Sequence, residues 1–111
     1  MVDVLETKAF IDWVDALRDR QARNLVIGRL YRLQRGLFGD ARPVGGGVSE
    51  LRIHVGPGYR IYFVRRGELV VVLLSGGDKG SQAADIERAK AMAEALQASD
   101  LTSLRIFGAD P

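Results

Sequence analysis

The periodicity of this chain changes once, and that change restricts what it can fold into. Up to Leu37 the apolar residues recur at helical spacing. Phe10, Trp13, Val14 and Leu17 form one stripe, and Ala22, Val26, Leu30, Leu33 and Leu37 form a second. The two predicted helices meet near Asp19–Arg20 as a hairpin. Gly28 sits inside the second one at a cost of about 1 kcal/mol relative to Ala, which predicts a close packing contact there. From Glu50 onward the pattern alternates. Leu51, Ile53 and Val55 face one way and Glu50, Arg52 and His54 the other, as in a strand covered on one face. Residues 39–47 (Gly-Asp-Ala-Arg-Pro-Val-Gly-Gly-Gly) divide the two regimes and read as a loop.

The flanks complete the pattern. Val2–Leu5 has strand character. Gly56-Pro57-Gly58 is a turn into a strand at Tyr59–Arg65. Leu69–Leu74 is apolar on both faces and reads as a central strand, which Gly76-Gly77 stops. Ser81 can cap a last helix whose apolar face is Ile86, Ala89, Ala93 and Leu96. The predicted order is β-α-α-β-β-β-α. This is an α+β fold with helices on one face of an antiparallel twisted sheet and the other face wet. Residues 1–98 make one domain and 99–111 a tail, in which Leu101, Leu104, Ile106 and Phe107 could dock or pair.

Composition removes several kinds of chemistry. The chain has no cysteine and a single histidine, His54. A thiol nucleophile is excluded, and a site built from Cys and His ligands is not expected. The first ten residues have neither the basic nor the apolar region of a signal peptide. The apolar run Leu69–Leu74 is too short to span a bilayer, so a cytoplasmic protein is expected. Net charge is +2 but uneven: residues 18–42 carry seven Arg against two Asp, whereas residues 1–17 carry one Lys against four acids. A basic middle suits a polyanion or is a solvated helix face.

The strand pair around Gly56–Gly58 carries the chemistry. A three-residue loop there would set Arg52 opposite Tyr62 and His54 opposite Arg60, gathering all of them on one polar face. Two guanidiniums offer planar forks for a phosphate. An imidazole beside them can act as a base, and a tyrosine can stack on an unpaired nucleobase. Lys79 lies just past the central strand, within reach of the same cleft. Gly76-Gly77-Asp78-Lys79-Gly80 lacks phosphate-loop spacing and reads as a turn and cap. From the residues alone, this is an anion-binding sheet face.

Leu51-Arg52-Ile53-His54-Val55-Gly56-Pro57-Gly58-Tyr59-Arg60-Ile61-Tyr62-Phe63, followed by Val70–Leu74 and Gly76-Gly77-Asp78-Lys79, resembles the addiction module killer protein branch of the RelE/ParE superfamily, close to HigB. The resemblance covers about residues 1–97, including Phe10, Trp13 and Asp85–Ala89. It implies a RelE-like microbial RNase fold and the toxin of a type II toxin–antitoxin module. It further implies an endoribonuclease that cuts mRNA on the ribosome with neither metal nor other cofactor. The implied partners are a small helix-turn-helix antitoxin, mRNA and the ribosome, with the toxin alone or in a toxin–antitoxin hetero-oligomer. The implied catalytic residues are His54, Arg60, Arg52, Lys79 and Asp85, with Arg52 and Lys79 also contacting substrate; Tyr62 joins the substrate contacts by its place on the same face in the strand pairing, not by the motif. RelE-type enzymes carry a tyrosine near the C-terminus for proton transfer. The corresponding stretch here has none, and Asp85 stands in its place. Two other functions share the resemblance: a ParE-like inhibitor of DNA gyrase and a non-catalytic binding module.

Overall fold

The computed structural model describes residues 1–109; Asp110 and Pro111, the end of the expected tail, lie outside the described residues. β1 (Asp3–Glu6) leads into α1 (Lys8–Asp15). Thr7 makes the joint. Its hydroxyl accepts from Phe10 N, capping the helix, and donates to Leu74 O at 2.8 Å, tying the cap to the sheet. α2 (Arg20–Gln34) starts at Asp19, whose carboxylate accepts from Gln21 N and Ala22 N. β2 (Ala41–Gly45), β3 (Val48–Ile53), β4 (Tyr59–Arg65) and β5 (Val70–Asp78) form a meander. α3 (Gln82–Ala95) and β6 (Arg105–Ile106) follow.

The sheet order is β2-β3-β4-β5-β1-β6, and β1 runs parallel to β5. The α+β class holds, but the sheet is mixed rather than antiparallel. The loop expected at 39–47 contains an edge strand. Pro43 has no N–H to give to a ladder and is tolerated at an edge, so a turn-like composition concealed the pairing with β3. The tail residues dock as anticipated. Ile106 pairs with Leu5, Phe107 N donates to Val4 O at 2.8 Å, and Leu101 and Leu104 pack on the sheet.

Helices cover both faces, so the face expected to be wet is not. On one face Val4, Leu51, Ile53, Ile61, Phe63, Val71 and Leu73 meet Phe10 of α1 and Val26, Leu30 and Leu33 of α2. On the other, Leu5, Val48, Tyr62, Val64, Val72 and Leu74 meet Ala89 and Ala93 of α3. Each fully buried Leu or Val contributes about 1.5–3 kcal/mol. The unbroken apolar run of β5 is what a strand covered on both sides requires.

Gly76-Gly77 does not stop β5 but continues it. A bulge at Leu74 sets Tyr62 opposite Ser75, so Gly76 faces α1 and Gly77 faces α3. A Cβ on Gly76 would overlap the Trp13 ring, and one on Gly77 would overlap the Asp85 carboxylate. At Gly28, by contrast, nothing lies within 4 Å of an added Cβ, so the close contact expected there is absent and the glycine is simply exposed. In urea denaturation, Gly76→Ala and Gly77→Ala should each cost about 1–3 kcal/mol through overpacking. Gly28→Ala should gain about 0.5–1 kcal/mol through helix propensity. Equal effects at the three positions would contradict this packing.

Candidate functional site

Two rows of side chains cross the α3 face of the sheet. Arg42, Glu50, Tyr62 and Ser75 are aligned through the β2–β3, β3–β4 and β4–β5 registers. In the next row Arg52 stands directly opposite Arg60, which in turn faces Gly77. The expected partners are therefore displaced by two residues. The connection between β3 and β4 runs from His54 to Gly58, held by Val55 N to Ile53 O and Gly58 N to Val55 O, both at 3.0 Å. A slip of two keeps every side chain on its face and changes only its neighbour.

The first row is a buried charge centre. Glu50 is fully buried. Its Oε1 accepts from Arg42 Nε at 3.2 Å. Its Oε2 accepts from Tyr62 Oη at 3.2 Å and from Gln82 Nε2 at 2.8 Å, with Arg60 Nε at 3.5 Å. Burial, then the Glu50 carboxylate, pushes the Tyr62 phenol well above its ordinary pKa. Tyr62 is 0% exposed beneath α3, so it does not present a ring for stacking on a base; the helix over that face is the reason.

The second row opens toward solvent. Arg52 Nη2 donates to Asp40 Oδ1 at 2.9 Å, and His54 Nε2 lies 2.6 Å from Asp40 Oδ2. The imidazole thus faces a carboxylate, not Arg60 as the shorter turn implied. The hydrogen bond from Arg52, then that from His54, holds the Asp40 carboxyl down at about 2. Lys79 closes this end, its N donating to Pro57 O at 3.4 Å. A Cβ on Gly58 would stand 3.6 Å from Lys79 Cβ and 4.0 Å from Arg60 Nη1.

Arg52, Arg60, His54 and Lys79 are therefore gathered around one end of the β3–β4 pair. Asp85 is not paired with any of them. It is buried against Gly77, accepting from Ser81 Oγ and from Arg88 Nη2, at 3.0 Å in the latter case. It borders a cleft of about 360 Å³ with Trp13, Tyr59 and Gly76. The larger hollow, about 530 Å³ between Gly46, Arg66 and α3, contains none of the predicted residues. Sequence reasoning passed over Glu50, Arg42 and Asp40. Alternation already set Glu50 on this face, but its alignment with Tyr62 needs the correct register; nothing local marked Asp40.

No family model matches the chain. A protein of Haemophilus influenzae, described as uncharacterized, is 40% identical over 95 residues, which is 86% of this chain and 96% of that protein. The chain belongs to the family of that Haemophilus protein. Among solved structures, a mutant of the E. coli toxin RelE in the free state superposes on this family member with a TM-score of 0.65 at 15% identity, over 86% of this chain and 100% of that one. The RelE-like fold expected from the sequence is thus the fold observed.

Glu50→Ala would leave Arg60 buried beside no carboxylate and should cost about 3–5 kcal/mol by chemical denaturation. Tyr62→Phe removes one of several bonds to Glu50 and should cost about 1–2 kcal/mol at neutral pH. The folded Tyr62 pKa lies above the unfolded value of about 10. Its contribution is therefore complete below that value and is lost as pH rises above it. Stability measured up the alkaline limb should fall less steeply in Tyr62→Phe than in the native protein; parallel curves would contradict the buried bond.

Proposed function

We propose that this chain is the toxin of a type II toxin–antitoxin module, of the addiction module killer branch, acting in the cytoplasm as an endoribonuclease on translated mRNA. The observation that carries the reading is the direct pairing of Arg52 with Arg60 at one sheet end, with His54 and Lys79 beside them. The RelE fold supports it. Two guanidiniums on opposed strands, with Cβ atoms about 5 Å apart, repel unless an anion lies between them. Glu50 and Asp40 each neutralise one of them from the side.

A phosphodiester suits the space between. Arg52 and Arg60 would bind its non-bridging oxygens and stabilise the charge that develops there. His54, with its side chain 70% exposed, would take the 2′-OH proton. Lys79, which is exposed, would donate to the leaving 5′-oxygen. No metal is required for any of these steps. Tyr62 has a structural part in this scheme, through Glu50, and Asp85 holds the start of α3 against Gly77. The partners are the ribosome, which presents single-stranded mRNA, and a small helix-turn-helix antitoxin that blocks the arginine end.

Primer extension on mRNA in a translating extract tests the reading. The native protein should cut within translated codons, and Arg52→Ala and Arg60→Ala should each reduce cutting about 100-fold or more. Thermal unfolding shows whether the buried Arg60 variant remains folded, and the more exposed Arg52 variant keeps the test decisive if it does not. Intact mRNA at protein levels that arrest growth would overturn the nuclease and point to gyrase.

A further inference from the structure

Asp40 sits one residue before β2, outside every helix and strand, yet its backbone is pinned. Arg52 N donates to Asp40 O at 2.9 Å. Arg29 Nη1 donates to Arg52 O at 3.0 Å and its Nη2 to Phe38 O at 3.4 Å. Phe38 in turn packs on Phe63, with ring centroids 5.7 Å apart. Gly39, at φ +66, turns the chain between Phe38 and Asp40. An acidic side chain on so constrained a loop is held for a reason, and its two oxygens have different partners.

We propose that Asp40 is the positioning residue of this site: its carboxylate holds the proton of His54 on Nε2 and leaves Nδ1 bare to act as the base. The proposal rests on the nuclease reading above. An ionised carboxylate only accepts hydrogen bonds. Asp40 Oδ1 takes Arg52 Nη2 at 2.9 Å, so Oδ2, 2.6 Å from the ring, must be met by an N–H. The neutral imidazole then carries its lone pair on Nδ1. No other hydrogen bond of the ring is formed among the described residues. The same carboxylate aims the Arg52 guanidinium, so base and phosphate clamp are oriented by one group.

The step balances. The ribose 2′-oxygen gives its proton to Nδ1 and forms a bond to phosphorus. The bond from phosphorus to the 5′-oxygen breaks, and that oxygen takes a proton from Lys79. The products are a 2′,3′-cyclic phosphate and a 5′-hydroxyl.

Asp40→Asn separates positioning from simple charge. The amide offers one acceptor and one donor. Arg52 is always a donor and keeps the oxygen, so the amide N–H faces the ring. Nε2 must then accept, and the ring proton moves to Nδ1. His54 is the sole histidine of the chain, so its two ring nitrogens are read directly by 15N NMR. The spectrum is taken on the alkaline plateau of the ring's own chemical shifts, where it carries a single proton. The expected result is Nε2 protonated in the native protein and Nδ1 protonated in the variant. Cleavage kcat should fall about 100-fold or more, as for a misoriented base, while KM is kept. An unchanged tautomer in Asp40→Asn overturns the proposal, and so does a reversed tautomer with undiminished kcat. A native protein that leaves translated mRNA intact instead fails the nuclease reading, whatever the ring nitrogens show.

Discussion

The buried carboxylate of Glu50 is the interaction on which the α3 side of this protein depends. A lone ionised carboxylate in that position would cost several kcal/mol in lost hydration. The fold offsets this with hydrogen bonds from β2 (Arg42), β4 (Tyr62) and α3 (Gln82), and with the Arg60 charge on β4 at 3.5 Å. Three elements beside β3 itself converge on one side chain. Because each donor has to arrive at hydrogen-bonding distance, the register of β2 on β3, the register of β4 on β3 and the seating of α3 are all specified together. A mispaired sheet would bury the same charge without its partners.

That centre also explains why α3 can cover a face bearing two arginines. Arg60 is 9% exposed, which without a counter-charge would be among the costliest placements in the molecule. Beside Glu50 it is neutralised, and the start of α3 can close over it. The bulge at Leu74 and the glycine pair beyond it serve the same end. Gly77 lets Asp85 of α3 approach the strand, and Gly76 lets Trp13 of α1 do so from the other side, so β5 is gripped at its end by both helices. Beyond Glu6 there is no β1 residue to pair with this part of β5, and the two helices hold it instead.

The parts legible in the sequence were those governed by a period. Both helix stripes, the alternation of β3 and β4, and the central position of β5 follow from spacing alone, and parity put Arg52, Arg60, Glu50 and Tyr62 on one face. What was lost depended on non-local geometry. The turn after Ile53 could close with three residues or five, and only the packed structure chooses. A covered second face was implied by the double-sided apolar run of β5, and the apolar face of α3 was legible, but the side of the sheet on which α3 packs is set by the chain's path and not by any period. Asp40 lay in a stretch whose Gly and Pro content reads as loop, and neither β2 nor the carboxylate beside it has a periodic signature.

The two arginines of the site are balanced in different ways, and the difference has a chemical consequence. Glu50 is sealed and holds Arg60 in a fixed direction from within. Asp40 stands at the surface, with its side chain 38% exposed, and holds Arg52 from without. A guanidinium has five donors, so neither carboxylate uses up its arginine; each fixes one edge and leaves another for an incoming phosphate. The anion binding proposed here would require little side-chain ordering at the moment of contact, because the two acids already hold the arginines in the folded protein. Preorganisation of that kind favours a developing negative charge over a mobile ground-state ion, and under the proposed nuclease reading it accounts for acidic residues standing among the arginines.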